Sequence, residues 1–102
     1  MDYPGNGGPR YEVYCSGQVA KTIRDVHQQA SQEGRGQAML DAFRQGIQRL
    51  RKNPKNFGEA LYRLPVLRMQ ICTAIVRPIA IDFALCTDRP LVFIKGVTLL
   101  SQ

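Results

Sequence analysis

Apolar positions along this chain fall into two regimes that meet near Asn53. Val19, Ile23, Val26 and Ala30 recur at helical spacing, while Lys21, Arg24, Asp25, Gln28, Gln29 and Gln32 take the outward side. Ser16 stands where a helix N-cap is needed, and Gly34-Arg35-Gly36 turns the chain. Met39, Phe43, Ile47 and Leu50 repeat the stripe in a second helix from about Gln37 to Lys52, which Asn53-Pro54 stops. Before both helices, Tyr11 to Cys15 alternates and is rich in strand formers, so it reads as a short first strand.

Beyond Leu61 the pattern changes to that of strands. Leu61 to Leu64 is a short one that Pro65 confines to a sheet edge or a strand end. Met69 to Val76 and Ile79 to Cys86 are longer and are separated only by Arg77-Pro78, which leaves room for a hairpin or a bend. Thr87-Asp88-Arg89-Pro90 turns the chain into a last strand, Leu91 to Leu99. Alternation sends Ile79, Ile81, Phe83 and Leu85 one way and Ala80, Asp82, Ala84 and Cys86 the other. In the preceding strand, Met69, Ile71 and Ile75 are expected on the core side, leaving Arg68, Gln70, Cys72 and Ala74 on an open face.

The predicted fold is therefore α+β. An N-terminal strand is followed by an antiparallel helical hairpin packed on one face of a mostly antiparallel sheet of four or five strands. Its expected core comprises Ile23, Val26, Phe43, Ile47, Leu50, Ile71, Ile81 and Phe83. A length of 102 residues suits one domain, set at 11–102 behind a Gly- and Pro-rich flexible leader at 1–10. The longest apolar run, Ile79 to Leu85, carries Asp82 and falls far short of the roughly 20 residues that a membrane span needs. Without a basic region followed by an apolar stretch at its start, the chain is expected to be cytoplasmic.

Charge and cysteine usage narrow the chemistry. Fourteen Lys and Arg against eight Asp and Glu give a net charge of +6, which favours a polyanion or an acidic protein as partner. Cys15, Cys72 and Cys86 lack zinc-site spacing and read as buried, inert thiols; with His27 the only imidazole, neither a metal nor a cofactor is expected.

The segment Asn53-Pro54-Lys55-Asn56-Phe57-Gly58-Glu59-Ala60-Leu61 follows the form Asn-Pro-x-x-Phe-Gly-x-x-Leu after the second helix. With the order strand, helix, helix, meander, it resembles the RelE/ParE toxin superfamily of bacterial type II toxin–antitoxin modules, which includes plasmid stabilisation toxins. The resemblance covers about Tyr11 to Leu99. Arg68 occupies the place of the arginine that opens the family's central strand, and Leu91 to Val97 is similar to its final hydrophobic strand. Two departures stand out. Where the family has a pattern like Tyr-Arg-Val-x-Tyr, this chain reads Val76-Arg77-Pro78-Ile79-Ala80-Ile81, with Arg77 a stand-in for that arginine. The His or Tyr that ribonuclease members carry near the C-terminus is not seen in Leu99-Leu100-Ser101-Gln102.

The resemblance implies either a ribosome-dependent mRNA interferase, a ParE-like toxin that binds DNA gyrase, or a non-toxic interaction module of the same fold. In the first two cases an antitoxin would be the natural partner. Cleavage of RNA through its 2′-hydroxyl needs a base, a proton donor and cations around the developing phosphorane. On that reading Arg68, Arg77 and Glu59 are the candidate catalytic residues, and Lys52, Lys55 and Arg63 bind nucleic acid or a partner. Asp82 is the alternative base and Tyr62 a candidate donor, while Asp82 is otherwise expected to pair with Arg68 or Lys95 on the open face. Apolar residues on both faces of Leu91 to Leu99 further suggest a surface through which two copies could pair.

Overall fold

The computed structural model describes residues 10–101, so the expected leader lies outside the described residues except for Arg10. Strand β1 (Glu12–Cys15) leads into helix α1 (Gly17–Gln32), whose N-cap Ser16 accepts a hydrogen bond from the Val19 backbone N–H at 3.1 Å. A tight turn gives helix α2 (Gly36–Lys52), and a single 3-10 turn at Pro54–Asn56 ends the helical half. Strands β2 (Glu59–Leu64), β3 (Met69–Val76), β4 (Ile79–Cys86) and β5 (Leu91–Leu99) follow, with a second 3-10 turn at Pro65–Leu67 between β2 and β3.

The five strands form one sheet in the order β1-β5-β4-β3-β2. The last four make an antiparallel meander, and β1 adds to β5 in parallel at the far edge. That parallel pairing is possible because the helical hairpin serves as the crossover between β1 and the meander. At its entry, the Tyr11 N–H donates to the Arg51 carbonyl and the Glu12 N–H to the Pro90 carbonyl, both at 2.9 Å. Pro65 does leave β2 as an edge strand, which begins two residues earlier than its apolar residues suggest.

Both helices cover the same face of the sheet. α1 lies over β5 and against α2, whereas α2 reaches β1, β3 and β4; neither helix packs extensively on β2. Met39, Ala42, Gly46 and Leu50 are the buried stripe of α2. They meet Ile79, Ile81, Phe83 and Leu85 from β4 and Val92, Ile94 and Val97 from β5. Ile23, Val26, Phe43 and Ile47 are only partly buried at the margin of this core. At Gly46 an added Cβ would stand 2.4 Å from Ile81 Cδ1, so the absence of a side chain there is what lets α2 sit directly on the centre of β4.

The expected faces of β3 are reversed. Antiparallel pairing places Cys72 opposite Phe83, Ala74 opposite Ile81 and Val76 opposite Ile79. Directly opposed residues share a face, so Cys72, Ala74 and Val76 point at the helices, while Met69, Ile71, Thr73 and Ile75 lie on the far side. Ile71 is buried there, paired with Ala84, whereas Ile75 is exposed. The small side chains are needed on the helix side because the loop after α2 presses on them. At Gly58, φ is +81°, and a Cβ would lie 2.2 Å from the Thr73 carbonyl oxygen and 2.7 Å from Ala74 Cβ.

Gly58→Ala is expected to destabilise the fold by roughly 2–4 kcal/mol, adding left-handed backbone strain to a clash with β3 backbone. Chemical denaturation of the variant measures this directly. A loss below about 0.5 kcal/mol, the range of an ordinary surface substitution, would contradict the close approach.

Candidate functional site

The sequence Asn53-Pro54 ends α2, and the buried ring of Pro54 anchors the loop that follows. Phe57 then folds back onto the sheet, its ring stacked on Phe83 with centroids 5.9 Å apart. Arg49 closes over the outer side of Phe57, with its guanidinium carbon 5.0 Å from the ring centroid and Nη2 donating to the Asn56 carbonyl at 3.4 Å. The chain leaves this anchor through Gly58 into β2, beyond the reach of the helices.

A cavity of about 330 Å³ opens where the sheet is left uncovered. Its walls come from the loop (Lys55, Phe57, Gly58), from β2 (Glu59, Ala60, Arg63) and from β3 and the end of β4 (Gln70, Cys72, Leu85, Cys86), with Thr87 at the margin. Three of the predicted site residues, Lys55, Glu59 and Arg63, are thereby brought to one place. The guanidinium and the ammonium can hold a phosphate, whereas Glu59, opposite Thr73, starts β2 with its side chain on the far face and contributes to the cavity wall at the strand edge.

The other three lie elsewhere. Lys52 is the last residue of α2, where with Arg49 and Arg51 it complements the carboxyl end of the helix dipole. Arg68 adopts a left-handed backbone conformation (φ 54°, ψ 49°) ahead of β3 and points its Nη1 to Asp88 Oδ2 at 3.3 Å. Its carbonyl accepts from the Thr87 N–H at 2.9 Å and from the Thr87 hydroxyl at 3.1 Å, so Arg68 ties the start of β3 to the β4–β5 turn. Arg77 sits in the β3–β4 turn beside α2, lining a separate depression with Asp41, Arg44 and Gln48.

Two further expectations are corrected. Tyr62 opposes Ile71 and so stands on the face away from the cavity, which removes it as a proton donor there. Asp82, between Thr73 and Gly96 on that same far face, cannot serve as the cavity's base, and the expected Arg68 partnership goes to Asp88 instead. Around Asp82 the far face is more apolar than its alternation suggests, for Ile71 and Ala84 are buried in it and Tyr14 stacks on Phe93 at 5.8 Å. The Tyr14 hydroxyl donates to Glu12 Oε1 at 2.7 Å, and that hydrogen bond, with the nearby carboxylate charge, pushes its pKa up.

No family model, curated protein or solved structure matches this chain. Its functional reading accordingly rests on its own residues. Gln70, Cys72, Cys86 and Thr87 were not singled out by sequence as site residues, although the two-residue Arg77-Pro78 turn fixes the β3–β4 register that places Cys72 toward the cavity. Among the described residues no group of three His, Cys, Asp or Glu side chains is disposed to hold a metal ion, and no helix is long and apolar enough to cross a membrane.

The cysteines provide a check on this geometry. Cys72 and Cys86 are buried as expected but Cys15, near the edge of the sheet in β1, is exposed instead, and burial pushes the Cys72 thiol above its ordinary value of 9.0. A raised pKa keeps the thiol protonated and unreactive as pH rises toward about 9. Maleimide labelling followed by mass spectrometry should therefore modify Cys15 first, with Cys72 and Cys86 reacting only in denaturant. Equal labelling of all three in the native state would contradict the packing of β3.

Proposed function

We propose that this protein is a toxin-like component of a bacterial toxin–antitoxin module that acts on RNA in the cavity between β2 and β3. The single observation that supports the reading is the convergence of Lys55, Arg63 and Glu59 on one 330 Å³ cavity in a chain of net charge +6. Arg63, with its planar fork of donors, suits a bridging phosphate, and Lys55 adds a point charge from the loop. Glu59 is the one carboxylate in the lining, and this reading requires its side chain to turn from the Thr73 face around the edge of β2 to accept a proton from a 2′-hydroxyl. The mRNA interferase reading assigns cleavage to this trio, with message presented on the ribosome.

A second reading is favoured by a different observation. Leu61, Tyr62, Val66 and Leu67 are all large, apolar and exposed, Val66 at 95%, and they cluster where edge strand β2 runs into the Pro65–Leu67 turn. Such a shoulder beside Lys55, Arg63 and Arg68 suits a protein segment that is apolar on one side and acidic on the other. An antitoxin would use it in either case. A ParE-like toxin would use it, or the basic surface beside it, against a protein target such as gyrase, a role for which the separation of Arg68 and Arg77 from the cavity is no obstacle.

Expression in a bacterium distinguishes the two. The RNA reading expects growth arrest with message cut inside translated codons, abolished by Lys55→Ala together with Arg63→Ala. Loss of a positioned base should slow cleavage by about 10²–10⁴-fold in Glu59→Gln, with RNA binding retained. Arrest with intact message and inhibited gyrase would instead support the protein-binding reading, and no arrest at good expression would leave neither.

A further inference from the structure

No described element covers the face of the sheet turned away from the helices. An antiparallel sheet with one wet face ordinarily carries polar residues there. Here the strand register lays Tyr14, Phe93, Ala84, Ile71 and Tyr62 in a single row across all five strands. Tyr14 is 48% exposed and Phe93 half-buried, and Ala84 is the one small residue between large neighbours. The adjoining row on this face holds Gly96, Asp82 and Thr73. Lys95, the extra residue at the β5 bulge beside Gly96, is exposed. Asp82 and Lys95 form no ion pair among the described residues, so the counter-charge expected for Asp82 is not supplied within the chain.

We propose that this face is the interface of a homodimer, in which two copies pack sheet on sheet about a two-fold axis that runs along the strands between β4 and β5. Such an axis exchanges β4 with β5 and β3 with β1. Phe93 of each copy then fills the space over the other's Ala84, and Tyr14 packs on the other's Ile71. Asp82 comes to face the second copy's Gly96 and, beside it, Lys95. Aligned sheets stand about 10 Å apart, a gap that an aspartate and a lysine side chain can close between them. An axis between β3 and β4 would instead set Asp82 over the second copy's Thr73, away from Lys95.

The four overlapping strands, over about six residues each, offer a face of roughly 19 by 20 Å. Two such faces bury on the order of 1,000 Å² in all, the lower end of specific interfaces, and the expected dimer is therefore reversible at micromolar concentration. Strand β2 falls outside the overlap and the cavity opens on the helix side, which leaves the cavity and the shoulder around Val66 free. Dimerisation is thus independent of how the cavity is used.

Sedimentation velocity of the purified full chain over a concentration series tests this, with a monomer–dimer equilibrium expected. Asp82→Lys and Lys95→Asp should each raise the dissociation constant by about tenfold or more, because each sets like charges face to face. The double variant should restore association, which a structural role confined to one chain would not do. Tyr14→Ala should also weaken the dimer, whereas Val66→Asp should leave it unchanged. Circular dichroism that matches the parent protein confirms that the variants fold.

A strict monomer at several hundred micromolar overturns the proposal and leaves the face to a different protein. Association that survives Asp82→Lys, Lys95→Asp and Tyr14→Ala but is lost in Val66→Asp overturns it too, moving the contact to the shoulder. Weakening by both charge changes without rescue in the double variant overturns the axis between β4 and β5.

Discussion

Everything distinctive in this molecule depends on how closely α2 can approach the sheet. At Gly46 the helix backbone rests on Ile81, a residue with no exposure, and the buried side chains of Met39, Ala42 and Leu50 flank that contact. A helix held so close has no room for a gradual exit. Asn53-Pro54 breaks it at once, and Phe57 returns to the same strand two residues along, stacking on Phe83. The loop is thereby fixed at both ends, one by helix packing and the other by an aromatic pair that adds about 0.5–1.5 kcal/mol beyond its burial. The cavity walls follow from that fixation, because Lys55 lies within the loop and Glu59 and Arg63 on the strand it launches.

The two helical stripes, the stop at Asn53-Pro54 and the four-strand meander were legible because each rests on a local rule: period, cap or turn. The faces of β3 were not, and the reason is physical. Size alone suggests that Ile71 and Ile75 are core and that Cys72 and Ala74 are not, since large aliphatic residues are usually buried. Register overrides size. With only Arg77-Pro78 between the strands, Val76 must oppose Ile79, and every second residue back from it must share the face of Ile81 and Phe83. Small residues on that face are the counterpart of Gly58, for the loop occupies the volume that larger side chains would have filled. Ile71 is still buried, but among Ala84 and its neighbours on the far side of the sheet.

The candidate site was legible to the extent that it lies in one continuous segment. Lys55, Glu59 and Arg63 are close in sequence and stay close in space. Arg68 and Arg77 enter a sequence-based constellation by their place relative to strand starts, and such an argument fixes height along a strand without fixing which neighbour the side chain meets. Arg68 meets Asp88 and sits in a left-handed conformation that few non-glycine residues adopt, so its backbone shapes the turn as much as its charge does. Arg77 leans to α2, a helix that no reading of the strands alone would bring beside it.

Charge placement constrains how such a surface can work. Lys55, Arg63, Arg44, Arg49 and Arg77 are all exposed, so these cations keep most of their hydration and their field decays over about 8 Å at physiological salt. Separate cations of this kind hold a small anion weakly, because a mononucleotide within one screening length reaches only one or two of them. A longer chain reaches them in series. Each added phosphate then releases a counterion without paying again for the loss of rotational and translational freedom, and affinity grows with the length of ligand engaged. Separate solvated cations favour a ligand by its extent, whereas buried, paired charges favour it by the chemistry of a single group.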